Sequence, residues 1–212
     1  MNWMMHWQQY FEDSQYLEAL VEQGFVVLDH ALPESLYMAL VLESREDEHY
    51  QAAKISTGGR LETVRSDSTR WIESDPTVNR QAGAEYLEAL EALSLVLNRA
   101  LYLGIRSVEA HYACYQVGQF YAQHRDNASG SDVRAISTVL YLNHGINQVD
   151  SNNWRAEWGG ALRLVDASDA VQDILPIGNR LVVFQSDLPH EVLPATVVRR
   201  SIAGWLRRDT TV

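Results

Sequence analysis

Apolar positions in the first half of the chain recur mainly at helical spacing. The segment from Tyr16 to Val21 predicts a helix, and Gly24 follows it where a C-terminal capping glycine would stand. A second helix is predicted from Pro33 to about Glu46, with Pro33 near the first turn, where its missing N–H does no harm. The clearest helix runs from Gly83 to Leu101, with leucines near a 3.6-residue period. Between the first two helices, Phe25 to Leu28 predicts a short buried strand.

From Ser107 onward the pattern changes to short runs rich in Val, Ile, Tyr and Phe, separated by turn residues. Several short strands at such close spacing are typical of a sandwich or jelly roll. The predicted strands are Val108–Gln116, Gln119–His124, Ala135–Asn143, Gly160–Val165, Leu181–Phe184, Glu191–Leu193 and Arg199–Leu206. We therefore expect an α+β, mainly β fold. Residues 1–105 would supply helical support and a lid loop, and residues 106–208 the jelly-roll core.

Composition narrows the functional classes. The chain has 212 residues, with 17 basic and 28 acidic side chains and a formal charge of −11, which argues against nucleic acid or an anionic membrane as a partner. Its single cysteine, Cys114, excludes a disulfide framework and a cysteine-rich zinc site. The sequence has no apolar run of membrane-spanning length and no secretory pattern at residues 1–9, so we expect a cytoplasmic protein.

One candidate site begins at His124 and Asp126, which stand two residues apart on a predicted extended segment and so face the same side. His190 follows a turn much later in the chain. Two histidines and one carboxylate are the ligand set of non-haem Fe(II) sites, which keep positions open for a co-substrate and dioxygen. A His-x-Asp pair taken alone is more often a pair of surface or turn residues, so both interpretations stay open at this point.

The last predicted strand carries a second candidate feature, because Arg199, Ser201 and Trp205 share one of its faces. An inward-facing arginine needs an anionic partner, since a buried unpaired guanidinium is costly. A carboxylate matches the forked geometry of the guanidinium, and the Ser201 hydroxyl could add a hydrogen bond. The alternatives are a structural bridge from Arg199 to an aspartate or glutamate, or a solvent-facing arginine.

In this order, the motifs His124-x-Asp126, His190 and Arg199-x-Ser201 resemble those of the Fe(II)- and 2-oxoglutarate-dependent dioxygenases. More narrowly, the chain resembles prolyl hydroxylases of the oxygen-sensing type and their bacterial relatives, from about Gly24 to Arg208. Further matching segments are Tyr115–Asp126, Thr138–Asn143, Gly159–Leu164 and His190–Ala195. The resemblance implies a single dioxygenase domain over residues 1–212, built as a double-stranded β-helix with flanking helices.

The resemblance also implies roles for individual residues. The Fe(II) ligands would be His124, Asp126 and His190. The co-substrates would be 2-oxoglutarate (2OG) and O2, with ascorbate as an additional cofactor. Arg199 would pair with the distal carboxylate of 2OG, assisted by Tyr141 and Ser201. Tyr115 would approach the end of 2OG nearer the metal.

Substrate contacts are implied for four further residues. Arg134 and Trp205 fall where the family places side chains close to the substrate. Arg65 and Asp67 begin a stretch that resembles the strand and loop covering the active site in this subgroup. The loop from Ile55 to Asp67 and the polar segment from Gly145 to Trp158 differ from the family pattern, and both are expected to border the substrate.

The predicted function is hydroxylation of a prolyl residue in a protein or peptide substrate, with a translation elongation factor as a candidate partner. One alternative is the same chemistry on a free amino acid or another small molecule. Another is a cupin-like module that binds a metal without turnover. A nucleic-acid demethylase is disfavoured by the charge of −11.

Five aromatic residues outside these motifs are interpreted by pattern alone. His111 and His144 are predicted to be ordinary hydrogen-bonded histidines, because neither has a matching ligand partner nearby in the sequence. Three tryptophans could line a peptide groove or pack in the core or at its rim, and the pattern does not decide between these alternatives. They are Trp71, Trp154 and Trp158.

Overall fold

The structure is a computed structural model, and it describes residues 1–12, 14–46, 49–53, 63–73, 81–127, 133–143 and 154–209. Within these ranges, four α-helices pack on the outer side of the larger of two β-sheets. The helices are Trp3–Phe11 (α1), Ser14–Glu22 (α2), Glu34–Glu43 (α3) and Gln81–Leu101 (α4). None of the described helices has the length and apolar composition needed to cross a membrane.

The described residues form eleven strands, and every strand pairing is antiparallel. Their bounds are Phe25–Leu28 (β1), Gln51–Ala52 (β2), Ser68–Trp71 (β3), Ser107–Tyr115 (β4), Tyr121–His124 (β5), Arg134–Tyr141 (β6), Leu162–Val165 (β7), Val171–Ile174 (β8), Leu181–Gln185 (β9), His190–Val192 (β10) and Arg199–Arg207 (β11). The larger sheet has the order β1-β9-β6-β11-β4-β3-β2, and the smaller has the order β5-β10-β7-β8.

The strands from β4 to β11 build the double-stranded β-helix. The chain passes repeatedly between the sheets, so that β4, β6, β9 and β11 lie in the larger sheet and β5, β7, β8 and β10 in the smaller. Strand β1 extends one edge of the larger sheet, and β3 and β2 extend the other. The predicted α+β, mainly β jelly roll is thereby confirmed.

Alternation along the long strands divides the core into two layers. On β4, Ala110 and Tyr112 pack with the helices, whereas Ala113 and Tyr115 pack in the layer between the sheets. Helix α1 is fixed to α4 by the Trp7 indole N–H, which donates to the Ala89 carbonyl at 2.7 Å. The helices thus support the larger sheet from behind and leave the inner layer to the cavity.

Among the elements that were not predicted from the sequence are helix α1 and strand β8. Helix α1 carries Trp3, Trp7 and Phe11 at intervals of four residues, and all three are buried. Strand β8 is an edge strand with a single buried residue, Ile174, so its sequence lacks the apolar signal of the other strands.

One predicted bound of α3 is corrected, because the helix ends at Glu43 rather than near Glu46. Pro33 is its N-cap residue, next to the first turn as predicted. The Arg45 N–H bonds to the Leu42 carbonyl, and the Glu46 N–H to the Glu43 carbonyl. These are turn hydrogen bonds with a span of three residues, so the chain winds on beyond the α-helix.

The predicted lid loop and polar segment lie partly outside the described residues. Of the Ile55–Asp67 loop, residues 55–62 are outside them, as are residues 145–153 of the Gly145–Trp158 segment and His144. What is described of the lid is its base, where β2 and β3 form an antiparallel pair that joins β4 through β3.

Candidate active site

A cavity of about 450 Å³ opens between the two sheets. Its wall takes residues from β4, β6, β9 and β11 on one side and from β5, β7 and β10 on the other. Of the residues predicted to form the site, the following line it: Arg65, Tyr115, His124, Asp126, Arg134, His190, Arg199, Ser201 and Trp205. Tyr141 and Asp67 are buried just behind this wall.

The three predicted metal ligands meet at this cavity. His124 and His190 are direct partners across β5 and β10, so their rings stand side by side with centroids 4.2 Å apart. Asp126 follows β5 by two residues, and its carboxylate oxygens lie 3.5 Å from Nε2 of each histidine. The three ligand atoms fall within 4.8 Å of one another, the one such group of three metal-binding side chains in the described part of the chain.

Backbone hydrogen bonds set the protonation pattern of both imidazoles. His124 donates from Nδ1 to the Ala122 carbonyl and His190 to the Leu188 carbonyl, each at 2.9 Å. A neutral imidazole that donates through Nδ1 keeps its lone pair on Nε2. Burial is the main reason that the pKa of His190 falls to about 4, so this ring is neutral at pH 7.

This arrangement fits a metal cation. The Nε2 lone pairs of the two histidines and the Asp126 carboxylate face one another, and none of these atoms carries a proton that could form a hydrogen bond between them. A positive ion at the centre of the group would stabilise it. Burial raises the pKa of the Asp126 carboxyl, but His190, His124 and the hydrogen bond from Ser137 outweigh burial and hold that pKa well below its usual range. Two imidazoles and one carboxylate, with the remaining directions open to a cavity, are the donor set suited to Fe(II).

Residues outside the predicted set hold the ligands in place. The Ser137 hydroxyl donates to Asp126 Oδ2 at 2.7 Å and bonds to the Ser186 hydroxyl at 2.8 Å. Tyr121 stacks on the His124 ring with centroids 3.6 Å apart, and Phe184 meets the His190 ring edge-on. Such contacts fix the orientation of the ligands. No sequence motif marks these residues, because their neighbours in space come from distant strands.

Arg199 lies deeper in the cavity and is 1% exposed. Its Nε donates to the Gly160 carbonyl at 3.0 Å and its Nη1 to the Ser201 hydroxyl at 3.2 Å. The guanidinium also lies 4.9 Å from the ring centroid of Tyr115 and 5.1 Å from that of Tyr141. No carboxylate in the described ranges pairs with it, so a structural salt bridge does not account for this buried charge.

Two tyrosines surround the Arg199 guanidinium. Tyr141 is fully buried, and its hydroxyl makes no hydrogen bond to the residues that the structure describes. Burial raises the pKa of Tyr141 and also that of Tyr115, where the Asp67 carboxylate adds to the effect. Both phenols therefore stay protonated at neutral pH and can donate. With Arg199, they form a buried group of donors that fits a carboxylate ligand.

The remaining predicted residues stand nearer the mouth. Arg65 binds Asp67 through two hydrogen bonds of 2.7 and 3.0 Å and lies over the Tyr121 ring. Asp67 is fully buried. Arg65 therefore lines the cavity, whereas Asp67 lies behind the cavity wall. Arg134 lies 3.8 Å from the Trp205 ring centroid and pairs with Glu109.

His111 is hydrogen-bonded as predicted, since its Nε2 lies 3.5 Å from Nη2 of Arg65. Its position at the cavity was not predicted: the ring lines the cavity between Trp71 and Trp205, and its Nδ1 has no partner among the described residues. A usable signal was present, because His111 precedes Tyr115 by four residues on β4 and therefore shares its inward face.

The open question about the three tryptophans is resolved for each of them. Trp71 is 51% exposed and lines the cavity. Trp154 is buried outside the cavity wall, where its indole N–H donates to the Gly159 carbonyl at 2.8 Å, and Trp158 packs edge-on against it. Only Trp71 among them is therefore in a position to meet a substrate in this cavity.

Comparison with known proteins agrees with the geometry. Residues 110–207 match the family description "2OG-Fe(II) oxygenase superfamily". A prolyl-4-hydroxylase of Pseudomonas putida is 36% identical over 93% of this chain and 99% of its own, with a TM-score of 0.79. The chain belongs to the 2OG-Fe(II) oxygenase superfamily, in its prolyl hydroxylase subgroup. It is accordingly a 2OG-dependent dioxygenase.

Other solved structures resemble this oxygenase. A prolyl hydroxylase of Trichoplax adhaerens, in complex with a peptide fragment of the hypoxia inducible factor oxygen degradation domain, is 25% identical. That match covers 98% of this chain and 94% of the other, with a TM-score of 0.79. A 2OG-Fe(II) oxygenase of Burkholderia pseudomallei is 18% identical, covers 94% and 92%, and shares the fold with a TM-score of 0.66. No curated protein sequence matches the chain.

Proposed function

We propose that this oxygenase hydroxylates a prolyl residue of a protein substrate, and that residues 1–212 act as one dioxygenase domain. The observation that carries the proposal is the buried Arg199 guanidinium, without a counter-charge in the described ranges, beside a convergent His-Asp-His group. One feature calls for a carboxylate ligand and the other for a cation. A chelating dicarboxylate bound to Fe(II) satisfies both.

In this proposal His124, Asp126 and His190 hold Fe(II) through Nε2, one carboxylate oxygen and Nε2. Arg199 binds the distal carboxylate of 2OG, with the Ser201 and Tyr141 hydroxyls completing its hydrogen bonds, and this fixes the register of the co-substrate. Bound iron and 2OG supply the oxidation, in which O2 converts 2OG to succinate and CO2 while a substrate C–H becomes C–OH. The Tyr115 and Phe184 rings border this region and exclude water from it.

A polypeptide substrate is supported by two observations. The Pseudomonas putida relative is a prolyl-4-hydroxylase, and the Trichoplax adhaerens relative is in complex with a peptide. Here, Arg65, Trp71, Arg134 and Trp205 stand on the cavity wall, and in this proposal they contact the chain on either side of the target proline. A bacterial translation elongation factor is the partner that the family resemblance favours. We further propose a cytoplasmic setting and ascorbate as the reductant that keeps the iron ferrous.

The test is mass spectrometry of a purified bacterial translation elongation factor after incubation with the enzyme, Fe(II), 2OG and ascorbate. We expect one proline to gain the mass of one oxygen atom, and 2OG consumption to rise when the factor is present. Oxidation of free proline or another amino acid, with no proline modified in any protein of a bacterial extract, would contradict the proposal in favour of a small-molecule substrate.

Variants of the three ligands connect this activity to the site. His124→Ala, Asp126→Ala and His190→Ala should each abolish 2OG consumption, because two ligands hold the metal too weakly in the right geometry. Circular dichroism checks that each variant is folded. His30→Asn is the matched control, since His30 is exposed and has a positive φ of 53° that asparagine tolerates. Consumption that persists in all three ligand variants would refute the assignment.

A further inference from the structure

Two residues of the cavity wall each carry a buried N–H group that lacks a hydrogen-bond partner among the described residues. These N–H groups belong to the His111 ring, at Nδ1, and to the Trp205 indole, at Nε1. The two residues are only 3% and 7% exposed, and their rings are in contact with centroids 5.1 Å apart. Buried donors are nearly always paired in native proteins. Two unpaired donors on touching rings in one cavity indicate that a ligand brings the missing acceptor.

Arg65 determines which nitrogen of His111 carries the proton. Its Nη2 lies 3.5 Å from Nε2 of His111, and a guanidinium can only donate, so Nε2 must present its lone pair. Burial first, and then the positive charges of Arg65 and Arg134, lower the pKa of His111 to about 3. The ring is therefore neutral at pH 7 and has its single N–H at Nδ1. The indole nitrogen of Trp205 is always a donor.

The surroundings favour a neutral acceptor over an anion. The two cations nearest to these rings are already paired, Arg65 with Asp67 and Arg134 with Glu109. What remains is an aromatic wall with two uncharged donors and no free positive charge among the described residues beside it. A peptide carbonyl suits such a wall. Proline has a backbone carbonyl oxygen but no backbone N–H. A wall that has hydrogen-bond donors and no acceptors therefore matches a proline-containing segment.

Trp71 lies next to both of these rings. Its ring meets that of His111 at a steep angle, with centroids 5.0 Å apart, and lies 6.2 Å from that of Trp205. Trp71 is nevertheless 51% exposed, on strand β3 outside the jelly-roll strands. A peptide that enters the cavity beside His111 would therefore also meet the Trp71 ring.

We propose that His111 Nδ1–H and Trp205 Nε1–H bind one backbone carbonyl of the substrate next to the target proline. His111 is then a substrate-binding residue held in its tautomer by Arg65, and Asp67 acts through Arg65. This inference rests on the proposed prolyl hydroxylation and specifies how the same site recognises its peptide. It accounts for both unpaired donors with a single acceptor.

His111→Phe and His111→Asn separate hydrogen bonding from packing. Phenylalanine keeps a ring between Trp71 and Trp205 but has no N–H, whereas asparagine can place an amide N–H near the position of Nδ1. With the elongation factor as substrate, His111→Phe should raise the KM for the protein by about tenfold or more, the loss expected for one hydrogen bond to a buried donor. The KM for 2OG should change much less, and His111→Asn should restore part of the lost affinity.

The Trp205 indole supplies a direct readout. In ¹⁵N-labelled enzyme loaded with Zn(II) and 2OG, its N–H resonance is assigned by its absence in Trp205→Phe. A synthetic peptide that spans the hydroxylated proline should move this proton resonance downfield and slow its exchange with water.

The outcomes distinguish this inference from the function on which it rests. If the wild type modifies no protein, both fall. If it hydroxylates the factor but His111→Phe has the wild-type KM, or the Trp205 resonance does not respond to the peptide, the inference alone is overturned. Equal increases in the KM for protein and for 2OG would also overturn it, since they indicate a structural role for His111.

Discussion

At the scale of single residues, the buried Arg199 side chain is the strongest indication of which ligand this site binds. No carboxylate of the described ranges pairs with this buried cation. Its contacts are the Gly160 carbonyl, the Ser201 hydroxyl and two aromatic rings. An uncompensated buried charge destabilises a fold, so its presence is best explained by a ligand that brings the opposite charge. The distal carboxylate of 2OG has the charge and the planar shape that a guanidinium binds with two hydrogen bonds.

Substitution of Arg199 should therefore act on 2OG and not on iron. Arg199→Ala is expected to raise the KM for 2OG by about 10- to 100-fold, because charge-assisted hydrogen bonds are lost. The KM for 2OG of Arg199→Lys should lie between those of the wild type and Arg199→Ala, since lysine keeps the charge without the forked geometry. Steady-state kinetics at varied 2OG and at varied Fe(II) measure the two effects separately. Equal weakening of both would identify Arg199 as a structural residue.

His111 gives the stability of the protein a defined pH dependence. Its pKa in the folded chain is about 3, below the ordinary value of 6.5, because burial and then Arg65 and Arg134 oppose the charged form. Between these two values the unfolded chain binds the proton and the folded chain does not. The free energy of unfolding should therefore fall as pH drops below 6.5, by up to about 1.4 kcal/mol per pH unit for this one group.

Urea unfolding of the metal-free protein at a series of pH values measures this dependence. His111→Phe should have a shallower slope between about pH 6.5 and 4, and the same slope as wild type above about pH 7. The contribution of His190, whose pKa is also lowered, is present in both proteins and cancels in the comparison. Identical slopes in the two proteins at acid pH would show that His111 is not held neutral by the fold.

The sequence identifies some residues of the site and not others. His124, Asp126, His190 and Arg199 are recognisable because their order and spacing are characteristic of a family. The partners that orient them leave no such trace, since Ser137 lies on a strand far in sequence from Ser186, and the two meet only after the sheet has formed. His111 falls between these cases, because strand alternation places it inward but only the fold reveals its neighbours.

At the scale of elements, the turn before β7 is fitted tightly around Arg199. Gly159 and Gly160 both have positive φ, 68° and 71°. A Cβ on Gly160 would lie 2.9 Å from the Ala195 Cβ, 3.1 Å from Trp154 and 3.4 Å from the Arg199 Cδ. The backbone therefore approaches Arg199 closely enough for the Gly160 carbonyl to accept its hydrogen bond.

Gly160→Ala should consequently damage both stability and 2OG binding. We expect roughly 1–2 kcal/mol from the left-handed backbone conformation and about 1–3 kcal/mol from crowding. Gly104→Ala is the matched control, because Gly104 has the same φ of 71° and an added Cβ there would meet nothing within 4 Å. Gly104→Ala should lose only the stability that the left-handed backbone conformation costs, and its KM for 2OG should be unchanged. Urea unfolding measures the stability of each variant, and steady-state kinetics measure its KM for 2OG. Equal losses of stability in the two variants would show that crowding around Gly160 contributes nothing.

Elements were predictable where apolar residues carry a clear period. Helix α4 and strands β1, β4 and β11 are close to their predicted bounds, because their buried positions repeat at helical or strand spacing. Strand β8 escaped prediction because it lies at a sheet edge and needs little apolar surface. Strand β2 escaped prediction for a similar reason, since it is a two-residue strand at an edge of the larger sheet.

At the scale of the whole molecule, strand order brings the site together. His124 and His190 are far apart in the sequence, yet β5 and β10 are neighbours and place the two residues in direct register. The alternation of side chains on β4 and β11 then sends one set of residues to the helices and the other to the cavity. No local pattern contains this arrangement. The family resemblance indicated it because relatives share the same topology.

Charge is also distributed unevenly over the molecule. The chain has a formal charge of −11, but among the described residues four arginines line the cavity against one acidic residue: Arg65, Arg125, Arg134, Arg199 and, of opposite sign, Asp126. Arg65 and Arg134 are paired with Asp67 and Glu109, whereas Arg199 has no carboxylate partner in the described ranges. Arg199 is therefore the positive charge that attracts an anionic co-substrate into an otherwise acidic protein. The overall charge argues against nucleic-acid partners, while the local charge favours a dicarboxylate.

In the proposed site, His124, Asp126 and His190 bind Fe(II) beside 2OG that is held by Arg199. This binding can be measured by anaerobic titration of the metal-free protein with Fe(II) and 2OG, followed by visible absorption. We expect a charge-transfer band that saturates at one iron per chain, is lost in Asp126→Ala, and needs more 2OG in Arg199→Ala. Absence of the band in the wild type, or its survival in Asp126→Ala, would contradict this assignment.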